Sequence, residues 1–275
     1  MTRSIKGLSP TEAEILSRLA ANGQTIFRVE DVRRYWKDGT TARLALSRLA
    51  RGGWLKRLER GRYMLVPLEA GPEREWTGDA FVLAMHLLQP GAIAYWSALY
   101  YWSLTEQIPL TVFVQSPARK AKAEMVIDGV RYRFVTIGEA RFFGLQERSL
   151  GGQFIWVTDR EKTVLDATDR SDLCGGVGQL VQVLQGHWSE LNWPKLTDYL
   201  ARFGSGASYK RLGYLVEILD LPLPERQGLL EEWRGHLTTG VADLDPSQPA
   251  KGCIVRRWCV RDNLALAEGL KGQGV

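Results

Sequence analysis

The sequence predicts an α+β fold in two parts: a small basic head of three helices and a hairpin, followed by a larger mixed α/β domain. Three observations predict it. Residues 1–66 carry 14 Lys and Arg against 6 Asp and Glu, a net +8, whereas residues 67–275 carry 22 against 25, a net −3. The head breaks into three short helical patterns and two strand-like runs punctuated by Asn-Gly, Asp-Gly and Gly-Gly. In the body, a small sheet and helices are mixed without regular alternation, which is the pattern of an α+β domain and not of βαβ units. At 275 residues and 45% hydrophobic composition, the chain is long enough for two separate cores. A short basic segment on a mildly acidic body points to a nucleic-acid reader joined to something with a second task.

In the head, Ser9-Pro10-Thr11-Glu12 predicts a helix start, with Ser9 as N-cap, Pro10 at the first helical position and Glu12 closing a capping box. Ile15, Leu16 and Leu19 form its apolar stripe, and Asn22-Gly23 ends it. A second helix is expected over residues 29–36, with Val32, Tyr35 and Trp36 facing inward, and a turn at Asp38-Gly39-Thr40. The third helix, residues 41–51, places Ala42, Ala45, Leu46 and Leu49 on one face and Thr40, Thr41, Arg43, Ser47, Arg48 and Arg51 on the other. Hydroxyl and guanidinium side chains of this kind reach phosphates and base edges from a helix in the major groove. Leu44 shares that outer face, where it either meets a thymine methyl or packs against the second helix. Residues 54–58 and 62–66 read as two strands around Glu59-Arg60-Gly61, with Arg57, Arg60 and Arg62 near the tip. Three helices and a basic hairpin make a winged helix-turn-helix that binds DNA, the hairpin arginines lying along phosphates or entering the minor groove.

Residues 67–76 have linker composition, so the domains are placed at 1–70 and 71–275, the second with a sheet-containing part to about 158 and a mainly helical part from about 159. Two apolar helical segments are expected at residues 78–88 and 93–104. The second carries Tyr95, Trp96, Tyr100, Tyr101 and Trp102, which without interleaved arginines read as core and not as a base-stacking platform. Strands follow at residues 110–115, 124–127, 130–137 and 154–157, with Asp128-Gly129 as a two-residue hairpin turn. The basic loop Arg119-Lys120-Ala121-Lys122 either contacts phosphate or is solvated. Helices are expected at 177–188, 194–203, 208–219 and 224–237, with a last strand at 253–260. Lys210 and Arg211 are placed opposite Leu212, Leu215 and Leu219, facing either solvent or an acidic partner or RNA.

The same reading leaves no recognisable catalytic constellation. Residues 158–166 bring Asp159, Glu161, Lys162 and Asp166 close together, but the spacing fits a helix start capped by Thr158 and Glu161 better than a metal-dependent nuclease triplet. Gly175-Gly176-x-Gly178 lacks the lysine of a phosphate-cradling loop. Cys174, Cys253 and Cys259 suggest neither a disulfide framework nor, with three scattered histidines, a metal site. No cofactor, metal or catalytic residue is therefore expected. The start of the chain has no signal-like apolar run, and the uncharged stretch 80–105 is broken by Gln89-Pro90-Gly91, so a cytoplasmic protein without a membrane span is expected.

Several segments, taken together, resemble the AbiEi family of antitoxins. They are Gly61-Arg62-Tyr63-Met64-Leu65-Val66-Pro67, residues 95–109 (YWSALYYWSLTEQIP), Thr111-Val112-Phe113-Val114, Tyr132-Arg133-Phe134-Val135 with Phe142-Phe143-Gly144, residues 157–166, and Tyr209-Lys210-Arg211-Leu212-Gly213-Tyr214-Leu215. The resemblance covers most of the chain in the expected order. It implies an antitoxin of a bacterial phage-defence operon whose winged helix binds inverted repeats in its own promoter. It further implies a C-terminal domain that counteracts a nucleotidyltransferase toxin without a stable complex. Carried onto this sequence, operator contact falls to Thr40, Thr41, Arg43, Ser47, Arg48, Arg51, Arg57, Arg60 and Arg62, and the antitoxin candidates are Asp159, Arg160, Lys162, Lys210 and Arg211. The alternative is a ligand-responsive transcriptional regulator with a small-molecule pocket lined by the Tyr95–Trp102 aromatics.

Overall fold

Helix α1, Pro10–Ala21, begins as its sequence dictates: the Ser9 hydroxyl accepts the Glu12 N–H at 3.3 Å, and the Glu12 carboxylate accepts the Ser9 N–H at 2.9 Å. The computed structural model describes residues 7–66 and 79–272, so the linker expected at 67–76 lies outside the described residues. The chain divides into two compact units, Met1–Gly78 and Asp79–Val275.

In the first unit, α1 is followed by β1 (Ile26–Arg28), α2 (Val29–Val32), a 3₁₀ turn at Arg33–Tyr35, α3 (Gly39–Arg51), β2 (Leu55–Glu59) and β3 (Arg62–Leu65). The strands form an antiparallel sheet in the order β1-β3-β2. Ile15, Leu16, Leu19, Phe27, Val32, Leu46, Leu49 and Tyr63 make one core, as the α1 and α3 stripes require. Two expectations need correcting. The second helix stops at Val32 and tightens into the 3₁₀ turn, so it does not run to Trp36. The hairpin also has a third strand: β1 pairs Phe27 with Tyr63 and makes β3 central. Three residues directly after a helix-ending Gly23 are too few to show alternation.

The second unit is built on a six-stranded mixed sheet, larger than the small sheet expected. Its strands are β4 (Ala92–Ile93), β5 (Thr111–Ser116), β6 (Glu124–Ile127), β7 (Val130–Thr136), β8 (Leu145–Leu150) and β9 (Gln153–Thr158), in the order β6-β7-β5-β4-β9-β8. β5 pairs with β7, and β4 with β9, in parallel; the other pairs are antiparallel. Asp128 and Gly129 both have positive φ, +53° and +78°, which is the type I′ turn that joins β6 to β7. Two short helices come early, α4 (Ala80–Leu87) and α5 (Tyr95–Tyr101). The helix expected at 93–104 therefore starts late, because Ala92 and Ile93 are used as a strand between β5 and β9.

A helical layer follows: α6 (Arg160–Asp169), α7 (Val177–His187), α8 (Trp193–Phe203), α9 (Gly206–Ile218) and α10 (Arg226–Gly235). One large core joins them to the sheet through Phe113, Val164, Leu165, Leu184, Leu196, Leu215 and Trp233. The chain ends in a second sheet, β10 (Ala242–Asp243), β11 (Cys253–Val255) and β12 (Val260–Asp262) in the order β10-β12-β11, and in α11 (Leu266–Gly272). The single strand expected at 253–260 is thus two strands, with Arg256 and Arg257 in the turn between them. Mixed α+β architecture is what the molecule has. No helix among the described residues is long and apolar enough to cross a membrane.

Candidate functional site

Helix α3 buries Ala42, Leu46 and Leu49 and leaves Thr40, Thr41, Arg43, Leu44, Ser47, Arg48 and Arg51 exposed. The apolar stripe locks the helix onto the core, so the opposite stripe faces solvent on a fixed support. Asp38 caps it, its carboxylate accepting the Thr41 N–H at 2.8 Å and the Thr41 hydroxyl at 3.0 Å, and these bonds hold Asp38 below the ordinary aspartate value. Leu44 is 67% exposed, so it is not buried against α2.

Arg48 differs from its neighbours. Its guanidinium donates to the Glu12 carboxylate, which is only 2% exposed, and so ties α3 to α1 while keeping its own side chain 57% exposed. Burial alone would raise Glu12, but the bonds from Arg48 and Ser9 outweigh it and hold the carboxyl below the usual glutamate value.

On the hairpin, Arg57 and Arg60 are exposed, but Arg62 is not. It stands opposite Arg28 on the central strand and pairs with Glu59 at 3.0 Å, and burial pulls its pKa below the ordinary arginine value. Arg62 does lie beside the turn, opposite Glu59, but its side chain is buried and does not share the exposed tip with Arg57 and Arg60.

The body candidates lie at the root of the helical layer. Asp159, and not Thr158, caps α6 by accepting the Lys162 N–H at 2.8 Å; its other oxygen accepts the Tyr199 hydroxyl at 2.8 Å and lies 3.0 Å from Lys195 Nζ. The Tyr199 hydroxyl is pushed up to about 12 by burial and by the bond to Asp159. Glu161, expected in a capping box, instead accepts the Asn192 N–H at 2.9 Å and Lys195 Nζ at 2.8 Å. The pair of carboxylates raises Lys195 against the opposing effect of burial. Lys195 and Tyr199 were not singled out from the sequence; the α8 stripe that carries them gave no sign that Asp159 lay opposite.

Lys162 is fully buried and donates to Asp166. Arg160 is half-buried, with its guanidinium 4.8 Å above the Trp102 ring and 3.5 Å from Glu190. Lys210 and Arg211 were placed on a face opposite the leucines, exposed to solvent or a partner. Both are buried: Lys210 donates to the Gly240 carbonyl at 2.8 Å, and Arg211 to the carbonyls of Asp243 and Thr168. Ser208 to Val216 of α9 are buried all round the helix, so no solvent face exists for them. They donate to backbone carbonyls of a loop, of β10 and of the end of α6. The structure thus gathers Asp159 and Lys162 on α6, and holds Lys210 and Arg211 in a separate brace beneath β10.

The aromatic row of α5 divides between core and surface: Tyr95 is buried against Phe113, and Tyr100 is 38% exposed. Tyr95 and Tyr100 line two different cavities. Among the described residues, no three His, Cys, Asp or Glu side chains gather to hold a metal ion.

No family model matches the chain, and no curated protein matches it. Among solved structures, the RV2827C protein from Mycobacterium tuberculosis is similar, with a TM-score of 0.63 and 18% identity over 98% of each chain. At that identity the likeness is one of fold, and it runs through both units.

Proposed function

We propose that the first unit is a winged helix-turn-helix that binds double-stranded operator DNA, and that the whole chain is an autorepressing antitoxin of the AbiEi type. One observation carries the DNA-binding reading: α3 turns Arg43, Leu44, Ser47 and Arg51 outward from a core that holds it rigidly, with Thr40 and Thr41 at its N-terminus. In a major groove the short hydroxyls let the helix approach closely, the guanidiniums reach guanine edges or phosphates, and Leu44 meets a thymine methyl. Exposed Arg57 and Arg60 then lie along the flanking backbone as the wing. The +8 charge of residues 1–66 favours association with any DNA, and the α3 side chains supply selectivity.

The antitoxin task rests on the sequence resemblance and falls to the second unit, acting on a nucleotidyltransferase toxin in the cytoplasm without a stable complex. Arg160 is half-buried while the other four candidates are buried, which favours it for direct action on another molecule. Co-expression with the neighbouring toxin gene tests this part. Residues 79–275 alone should restore growth, and a folded fragment that leaves the cells poisoned would refute it. Gel shifts on the chain's own promoter, against scrambled DNA of equal length, test the first part separately.

A further inference from the structure

A cavity of about 490 Å³ opens between the end of β7, α6 and α8, within the range of small-molecule sites. Tyr95, Arg141, Lys162, Asp166, Asp169 and Arg170 supply its polar lining, with Phe203 and Val135 among the apolar part. With Asp172, which stands behind Arg170 outside the lining and is counted with it, these groups form three ion pairs: Lys162 with Asp166, Arg141 with Asp169 at 3.3 Å, and Arg170 with Asp172 at 2.7 Å. Their charges sum to zero.

One atom in this lining lacks a partner. Asp166 is 3% exposed, its Oδ1 takes the Lys162 ammonium, and its Oδ2 accepts no hydrogen bond. A buried carboxylate oxygen without a donor is costly and calls for one. In the sheet, fully buried Gln115, the register partner of the lining residue Val135, has neither amide atom bonded. The cations, by contrast, keep spare donors: Arg170 uses Nε and Nη2 on Asp172, and Arg141 uses Nη1 on Asp169, out of five N–H groups each.

We propose that this cavity binds a small zwitterion of the amino-acid type, its ammonium donating to Asp166 and Asp169 and its carboxylate accepting from Arg141 and Arg170. The occupant must bring a donor for Asp166 and an acceptor for the arginines without adding net charge to a balanced site. A phosphorylated ligand would add two or more uncompensated negative charges, and a simple amine would leave the arginines' spare donors without an acceptor. Phe203 and Tyr95 give an apolar side chain a surface to lie against. The cavity lies wholly within the second unit and takes no part in DNA binding.

The test is the thermal midpoint of the full-length chain with each of the twenty amino acids, with N-acetyl and carboxamide derivatives of the best one, and with AMP and GTP. The expected result is a saturable rise of about 2–4 °C with one or a few free amino acids. That rise should vanish with both blocked derivatives. Ala140 is exposed at the cavity, so Ala140→Trp covers the mouth without entering the core, and should abolish the rise while leaving the unliganded midpoint unchanged. Because Asp166 also holds Lys162, Asp166→Asn is a second variant, expected to weaken binding by about tenfold or more if it folds. No rise with any amino acid, a rise with nucleotides alone, or a rise that survives blocking or Ala140→Trp would overturn the proposal.

Discussion

Two ion pairs decide most at the residue scale, one in each unit. Glu12 is a buried carboxylate whose charge is matched by Arg48, so Arg48→Ala should lower the thermal midpoint of the first unit whether or not DNA is present. The partner change should be coupled to it, because Glu12→Gln in the Arg48→Ala background removes a charge that has already lost its match. A double-mutant cycle in urea reads that coupling, and additive losses would contradict it. Since Glu12 lies below its ordinary value when folded, its stabilising effect is complete above that value and fades as pH falls through the lower one. The acid limb of the unfolding curve should therefore flatten in Glu12→Gln. In the second unit, Lys162→Met strands Asp166 in the core and should cost about 3–5 kcal/mol. Burial raises Asp166 above its ordinary value even with Lys162 opposing it, so the folded state holds the proton more tightly than the unfolded chain does. The deficit of Lys162→Met should thus be larger near about pH 8 than near about pH 5, as denaturant midpoints against the parent will show.

Among the elements, what was legible in advance was what carries its own local chemistry. The capping box of α1, the Asp-Gly turn and the stripe of α3 are each written in four to eight neighbouring residues, and each formed. β1 and β4 are three and two residues long and owe their conformation to the strands beside them, so no local pattern announced them. β8 reads Leu-Gln-Glu-Arg-Ser-Leu at the edge of the sheet, with too few apolar residues to register as a strand. The body's candidate residues were misplaced for a related reason. A lysine or arginine in a helix looks solvated unless its distant carbonyl partners are known, and those of Lys210 and Arg211 come from some thirty to forty residues away. Element packing offers its own test at α9, where a Cβ on Gly213 would stand 2.1 Å from the fully buried Trp258 ring. Gly213→Ala should destabilise the chain by about 1–3 kcal/mol and shift Trp fluorescence, and an unchanged midpoint would contradict the packing of the β11–β12 turn against this helix.

For the molecule as a whole, the charge asymmetry and the division into two units describe the same arrangement. The basic excess belongs to a unit with its own core, and the larger unit has a separate one. Residues 79–275 should therefore unfold in a single cooperative transition when expressed alone, as circular dichroism against temperature will record. The central claim is that the outward face of α3 reads DNA. The most direct measurement is fluorescence anisotropy of labelled promoter DNA titrated with the parent and with Arg43→Ala/Arg51→Ala, across a salt series. The two residues touch no core, so the fold should be unchanged while affinity drops by about tenfold or more. The salt slope should decrease by about one for each arginine that meets a phosphate. Equal binding of promoter and scrambled DNA by both proteins, with equal salt slopes, would contradict the assignment.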